Sequence, residues 1–180
     1  SGYCSQGLKF KFPKAEYLVL DIIDEVLQEN QSTHGFIPQK YSAENMNEMP
    51  SEQYDLIIAR DVIEHVRDIG SVLQNIHRLL KPQGCFHFIT PNGLTDFWKF
   101  YKHWQENQLI GELLINHVNY FDGHGLETLL TKTGFSKLLY YGYGLQSYRE
   151  GRGWDLRRAH PMTLSFKRSS SEQIKDRKST

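Results

Sequence analysis

The stretch from Tyr54 to Asn92 leaves this chain few folds to choose from. It reads YDLIIARDVIEHVRDIGSVLQNIHRLLKPQGCFHFITPN. Leu56-Ile57-Ile58-Ala59 is an apolar, largely β-branched run of strand length. A polar loop, Arg60-Asp61, and the segment Val62 to Val66 follow it. Asp68 is placed to cap a helix whose apolar residues fall at Ile69, Val72, Leu73, Ile76, Leu79 and Leu80, one face of a 3.6-residue period. Lys81 suits the negative end of that helix, Pro82 cannot continue it, and Gly84 is expected to turn the chain with a positive φ. Cys85 to Thr90 then reads as a second strand. Strand, helix and strand in this span predict a βαβ unit with parallel strands and a right-handed crossover.

Ligands in such sheets bind beyond the carboxyl ends of the strands. That rule places Arg60 to His65 and Thr90 to Asn92 on one working edge. The segments YDLIIARDVIEH, LKPQG and FITPN, in this order and spacing, resemble the fourth and fifth strands of class I S-adenosylmethionine-dependent methyltransferases of the small-molecule type. The resemblance implies an α/β fold: a doubly wound, mostly parallel Rossmann-like sheet in the order 3-2-1-4-5-7-6, with an antiparallel C-terminal hairpin. It also implies S-adenosyl-L-methionine as cofactor, and methyl transfer to an oxygen, nitrogen or carbon of a small molecule.

Several residues take expected roles from the resemblance. Ser1-Gly2 resembles the tail of the family's glycine-rich turn, which puts Gly2 beside the cofactor's methionine moiety. The first strand and first glycine of that motif are missing, so residues 1–168 read as a methyltransferase domain that is incomplete at its N-terminus. Ala15 to Leu20 reads as a strand with Asp21 at its carboxyl end, where an acid accepts hydrogen bonds from ribose hydroxyls. Capping of the next helix is the other use for Asp21. Gly35 to Tyr41 is a short strand, and Ala43-Glu44 after it resembles the family's adenine-side segment, with Ser42 where aspartate is common. Arg60 and Asp61 complete the expected cofactor contacts.

His65 is the expected catalytic residue. Imidazole can take a proton as the methyl moves, and a histidine at the matching place does so in some relatives. The other reading has His65 shaping the cofactor pocket. Phe97, Phe100, Tyr101 and Trp104 recur at helical spacing, as a packing face or as an active-site lid. His117 to Phe121 and the helix after Asp122 resemble the family's HVxxF and ExLLxxxGF segments, Gly134 closing the helix. Two strands, near Phe135 to Tyr143 and Pro161 to Lys167, finish the sheet, and 169–180 is an expected disordered polar tail. Arg149, Arg152, Arg157 and Arg158 lie in the loop between those strands, where they are solvated or grip an acidic substrate.

Bulk properties narrow the partners. Lysine plus arginine and aspartate plus glutamate each number 21, so no basic excess favours nucleic acid or a membrane surface. Cys4 and Cys85 lack metal or disulfide spacing, and His117 and His124 have no second ligand at helical or hairpin spacing, so no metal site is expected. No apolar run reaches membrane-spanning length. The expectation is a cytoplasmic enzyme acting on a small molecule, with a homodimer as the expected assembly because a sheet lacking its central strand leaves unpaired edges. A methyltransferase-like domain that binds or assembles without catalysis is the rival.

Overall fold

The structure, a computed structural model, describes residues 3–93, 97, 101, 117–142 and 162–169. The chain divides into two compact units, Ser1–Glu48 and Met49–Thr180.

In the first unit, helix α1 spans Tyr3–Lys11, strand β1 Leu18–Asp21, helix α2 Asp24–His34 and strand β2 Ile37–Lys40. The two strands pair in parallel, Leu18 opposite Ile37 and Asp21 opposite Lys40. Asp24 and Glu25 in the first turn of α2 suit the helix dipole, and Gly35 ends it in the left-handed region at φ 63.

The second unit holds β3 (Tyr54–Arg60), α3 (Ile69–Leu79), β4 (Leu80–Thr90), α4 (Gly123–Lys132), β5 (Phe135–Gly142) and β6 (Met162–Arg168). Its strand order is β3-β4-β6-β5. β3 and β4 run parallel, while β6 lies antiparallel to both neighbours. This is the 4-5-7-6 half of the expected order, with its antiparallel hairpin, and β1-β2 is the separate 2-3 half. Among the described residues no strand joins the two sheets.

The α3 face forms as the periodicity requires. Val72, Leu73, Ile76 and Leu79 are buried, and Asp68 accepts from the Ser71 backbone N–H at 3.0 Å as its N-cap. Along β4 the alternation places Phe86 and Phe88 inward, where they stack at 4.8 Å. Phe88 stacks in turn on Phe166 of β6 at 6.1 Å.

One turn differs from expectation. The pairing of β3 with β4 slips between Tyr54 opposite Leu80 and Leu56 opposite Cys85, so Lys81 to Gly84 bulge out. The positive φ falls on Gln83 (70°), not on Gly84. Gly84 is needed there for room: a Cβ would lie 2.9 Å from the Lys81 carbonyl oxygen and 3.1 Å from that of Tyr54. Lys81 sits at the start of β4 and pairs with Asp55 at 2.8 Å instead of serving the helix end.

β6 runs to Arg168, whose guanidinium meets the Leu80 carbonyl and Glu52. Ser169 is held as well, donating its N–H to the Gly134 carbonyl at 2.9 Å. The remainder of the expected tail, 170–180, lies outside the described residues, as do Gly2, Arg149 to Arg158, Phe100 and Trp104.

Candidate active site at the ends of strands β3 and β4

Where β3 stops, the backbone turns sharply. Asp61 adopts φ 52, a region aspartate enters more readily than most residues, and its N–H donates to the Ile89 carbonyl at 3.0 Å. The Arg60 Nε lies 3.4 Å from Asp61 Oδ2, with both side chains about half exposed (50% and 56%). A tight turn then closes, the His65 N–H donating to the Val62 carbonyl at 3.0 Å. Ile63 and Val66 face inward, so the turn is anchored by burial on both sides of Glu64 and His65.

Glu64 is itself buried, at 1% exposure. Its Oε2 accepts from the Thr90 hydroxyl at 3.0 Å, which ties the turn after β3 to the end of β4. Burial pushes the Glu64 carboxyl above the ordinary carboxylate range, against the pull of hydrogen bonds from its own backbone and from Thr90. Oε1 is buried and accepts no hydrogen bond.

A third segment, His117 to Phe121, closes over this turn. The Val118 and Asn119 N–H groups both donate to the Glu64 carbonyl, at 2.9 and 3.1 Å. The Asn119 amide nitrogen donates to the carbonyls of Ile63 and Val66. Gly93 presses on the same segment: its N–H donates to the Phe121 carbonyl at 2.7 Å, and a Cβ would meet the Tyr120 carbonyl carbon at 2.5 Å. These bonds bring the His117 ring edge-on to that of His65, centroids 4.8 Å apart. Phe97 stacks with Tyr101 at 6.4 Å and meets Tyr120 edge-on at 6.2 Å.

In the first unit, Asp21 ends β1 as expected. Its Oδ1 accepts from the N–H groups of Ile22 and Ile23, at 2.8 and 3.0 Å. It is not the helix cap, since α2 begins at Asp24 with Ile23 in the N-cap position. Ala43 and Glu44 lie in a turn after β2 in which the Ser42 hydroxyl accepts from the Glu44 N–H at 3.2 Å.

Sequence reasoning singled out Arg60, Asp61 and His65, and the structure gathers them at one strand end. It did not single out Glu64, Thr90 or Asn119 as partners. The signal for Glu64 was a carboxylate set within the apolar Val62-Ile63-Glu64-His65-Val66 run. The pairing of His65 with His117 had no signal in local spacing, and His124 stands apart, its N–H donating to the Asp122 cap of α4.

Known proteins match this architecture. The chain matches the methyltransferase-domain family over residues 3–140 and belongs to it. It is a class I S-adenosylmethionine-dependent methyltransferase domain, and S-adenosylmethionine is its family's cofactor. A ubiquinone biosynthesis O-methyltransferase of Pseudomonas savastanoi pv. phaseolicola is 39% identical over 54 residues, covering 30% of this chain and 23% of that protein. A malonyl-[acyl-carrier protein] O-methyltransferase of Legionella pneumophila is 27% identical over 93 residues, covering 49% of this chain and 32% of that protein. The matched stretch thus spans less than a third of either relative. Among solved structures, a putative sarcosine dimethylglycine methyltransferase from Galdieria sulphuraria superposes with a TM-score of 0.68 at 15% identity, over 93% of this chain and 75% of that one. An S-adenosylmethionine-dependent methyltransferase from Mesorhizobium loti gives 0.65 at 16% identity, over 92% and 85%. At such identities the likeness is one of fold. Among the described residues no helix is long and apolar enough to cross a membrane.

Proposed function

We propose that this chain carries the transfer of a methyl group from S-adenosylmethionine to an oxygen of a small molecule in the cytoplasm. The observation that carries the reading is the edge where β3 and β4 end. Arg60, Asp61, Glu64, His65 and Thr90 meet there, at the end of a parallel βαβ unit where ligands of such folds bind. The preference for oxygen rests on the names of the partial relatives, which are O-methyltransferases.

Each unit carries residues to which the family resemblance assigns cofactor contacts, and those contacts are proposed residue by residue. Asp21 uses Oδ1 to hold its own turn, so Oδ2 is the oxygen proposed to accept from the ribose hydroxyls. Ala43 and Glu44 are proposed to border the adenine, Gly2 the methionine moiety, and Arg60 and Asp61 the remaining contacts. The left-handed backbone at Asp61 is a constrained conformation of the kind that collects at ligand sites. When bound, the cofactor supplies an electrophilic sulfonium methyl, so the chain's work is to position the acceptor in line. His65 is exposed at this edge and is proposed to shape that pocket; taking the acceptor's proton is its other use. The substrate is read as a small molecule, with neither nucleic acid nor a membrane as partner, and a homodimer as the assembly.

Calorimetric titration with S-adenosylmethionine and S-adenosylhomocysteine, followed by labelled-methyl transfer to a panel of phenols and carboxylates, tests the reading. Saturable one-site binding and transfer are expected. Asp21→Ala should weaken cofactor affinity about tenfold or more, as loss of a charged hydrogen bond of roughly 1.5–3 kcal/mol implies. Unchanged affinity would confine Asp21 to its turn. A drop of about 10²–10⁴-fold in the saturated rate of His65→Ala, with cofactor affinity intact, would make His65 the base instead. Cofactor binding without transfer to any acceptor would leave a binding domain.

A further inference from the structure

Hydrogen bonding between the turn after β3 and the 117–121 segment assembles a set of donors that no local spacing announces. One ligand atom each from Glu64, His65 and His117 lie within 4.8 Å of one another. Glu64 is 1% exposed, its Oε2 is held by Thr90, and its Oε1 is buried without a hydrogen-bond donor. A buried carboxylate oxygen left without a donor is costly, and such groups are uncommon unless a water or an ion serves them. Two imidazoles beside that carboxylate supply nitrogen donors that a cation would share with it.

We propose that Glu64, His65 and His117 bind one divalent transition-metal ion of the Zn²⁺ or Co²⁺ kind. Two imidazole nitrogens and one carboxylate oxygen are a donor set for such ions, whereas Mg²⁺ and Ca²⁺ take oxygen ligands. Donors around one ion at bond lengths of about 2.0–2.2 Å stand closer together than those here, so the set must contract. Glu64 is fixed by burial and by Thr90, so the contraction falls to the two imidazoles, of which His65 is the exposed one. Three protein ligands leave a coordination position for an external oxygen, on the solvent side where His65 is exposed. Asp61 lies against Arg60 and is not counted as a ligand. A coordinated His65 nitrogen cannot serve as a proton acceptor, which agrees with a pocket role for this residue. Binding of the ion does not depend on the methyl-transfer reading, because it is measured with the metal alone.

The test uses the full chain, stripped with chelator and titrated with Co²⁺ in the absence of cofactor and acceptor, with the visible ligand-field bands and calorimetry as readouts. One Co²⁺ per chain, displaced by Zn²⁺ and not by Mg²⁺, is the expected result. His117→Ala should weaken binding by about a hundredfold or more, beyond the 10–100-fold typical of losing a partner that merely orients a ligand. Thr90→Val should fall within that 10–100-fold range, and His124→Ala should change nothing. His117 is only half-buried, so its variant is expected to keep the wild-type circular dichroism; Glu64→Gln gives a second reading at the buried ligand. No stoichiometric Co²⁺ binding by the wild type would overturn the proposal. Binding that survives both His117→Ala and Glu64→Gln, or that His124→Ala removes, would overturn it equally.

Discussion

Helices α2 and α3 are each 11 residues long and each crosses between two parallel strands, yet α3 buries five residues where α2 buries two. The strands differ in the same sense. β4 alternates buried and half-buried positions through Phe86 and Phe88, whereas no residue of β1 or β2 is fully buried. Ile22, Ile23 and Ile37 of the first unit are exposed. One topology thus appears twice with different amounts of core beneath it. The site residues that are tied to each other by hydrogen bonds, Glu64, Thr90 and Asn119, belong to the well-filled copy. Geometry within about 1 Å matters to a reacting centre, and a packed support supplies it.

The largest effect that would break this comparison is a cavity under α3. Leu73 has no exposure at all, so Leu73→Ala should cost about 2–5 kcal/mol in urea unfolding. Leu27 of α2, at 6% exposure, should cost less when truncated in the same way, because α2 buries two residues where α3 buries five. Native-state hydrogen exchange should agree, with slow amides in α3 and β4 and faster ones in α2. Equal costs at the two leucines would mean that the first unit is as well supported as the second.

The copy with the stronger core was also the more legible in sequence. The apolar stripe of α3, its Asp68 cap and the β3 and β4 runs were all readable, because burial imposes a period and burial here is extensive. α2, DEVLQENQSTH, carries no such stripe, and only its acidic first turn and Gly35 mark its ends. In the site, Arg60, Asp61 and His65 were legible as the point where a strand period stops. Glu64 with Thr90, and His65 with His117, were not, since each pair joins segments separated by at least a helix and a strand. The turn at Gly84 shows a different limit. Glycine answers both to a positive φ and to close approach, and the sequence alone does not distinguish them.

A smaller effect should appear with pH. His77 on α3 meets Phe135 edge-on at 5.3 Å, and its Nε2 is buried without a hydrogen-bond partner. Burial, helped by the Arg168 charge, holds its pKa below the usual 6.5. The folded state therefore resists a proton that the unfolded chain accepts. The contribution of His77 to stability is complete above 6.5 and is lost as pH falls through that value toward the lower folded pKa. His87, half-buried beside Ser165, acts with the same sign. Urea unfolding at about pH 7.5 and about pH 5.5 should show the loss. His77→Gln should shrink the difference, and a difference of the same size in that variant would remove His77 from the account.

The smallest effect would strengthen the weaker copy. The N-cap position of α2 is Ile23, with extended backbone (φ −102, ψ 115) and no side-chain cap hydrogen bond. Asp122 fills the same position of α4 and accepts from the N–H groups of His124 and Gly125. Ile23 is 49% exposed, so replacing it removes little buried surface. The backbone there is already in the region that a capping serine adopts, and the serine hydroxyl would reach the N–H of Glu25 or Val26. Ile23→Ser should therefore stabilise the first unit by about 0.5–1 kcal/mol, the lower part of the range for gaining a cap. The gain should be read as slower hydrogen exchange in the first turn of α2, with exchange in α3 unchanged. The Asp21 carboxylate already accepts from Ile22 and Ile23, one turn earlier, so it does not compete for the new donors. No gain would mean that the start of α2 is held by something other than its cap. The contrast between the two helices would then rest on their buried faces alone.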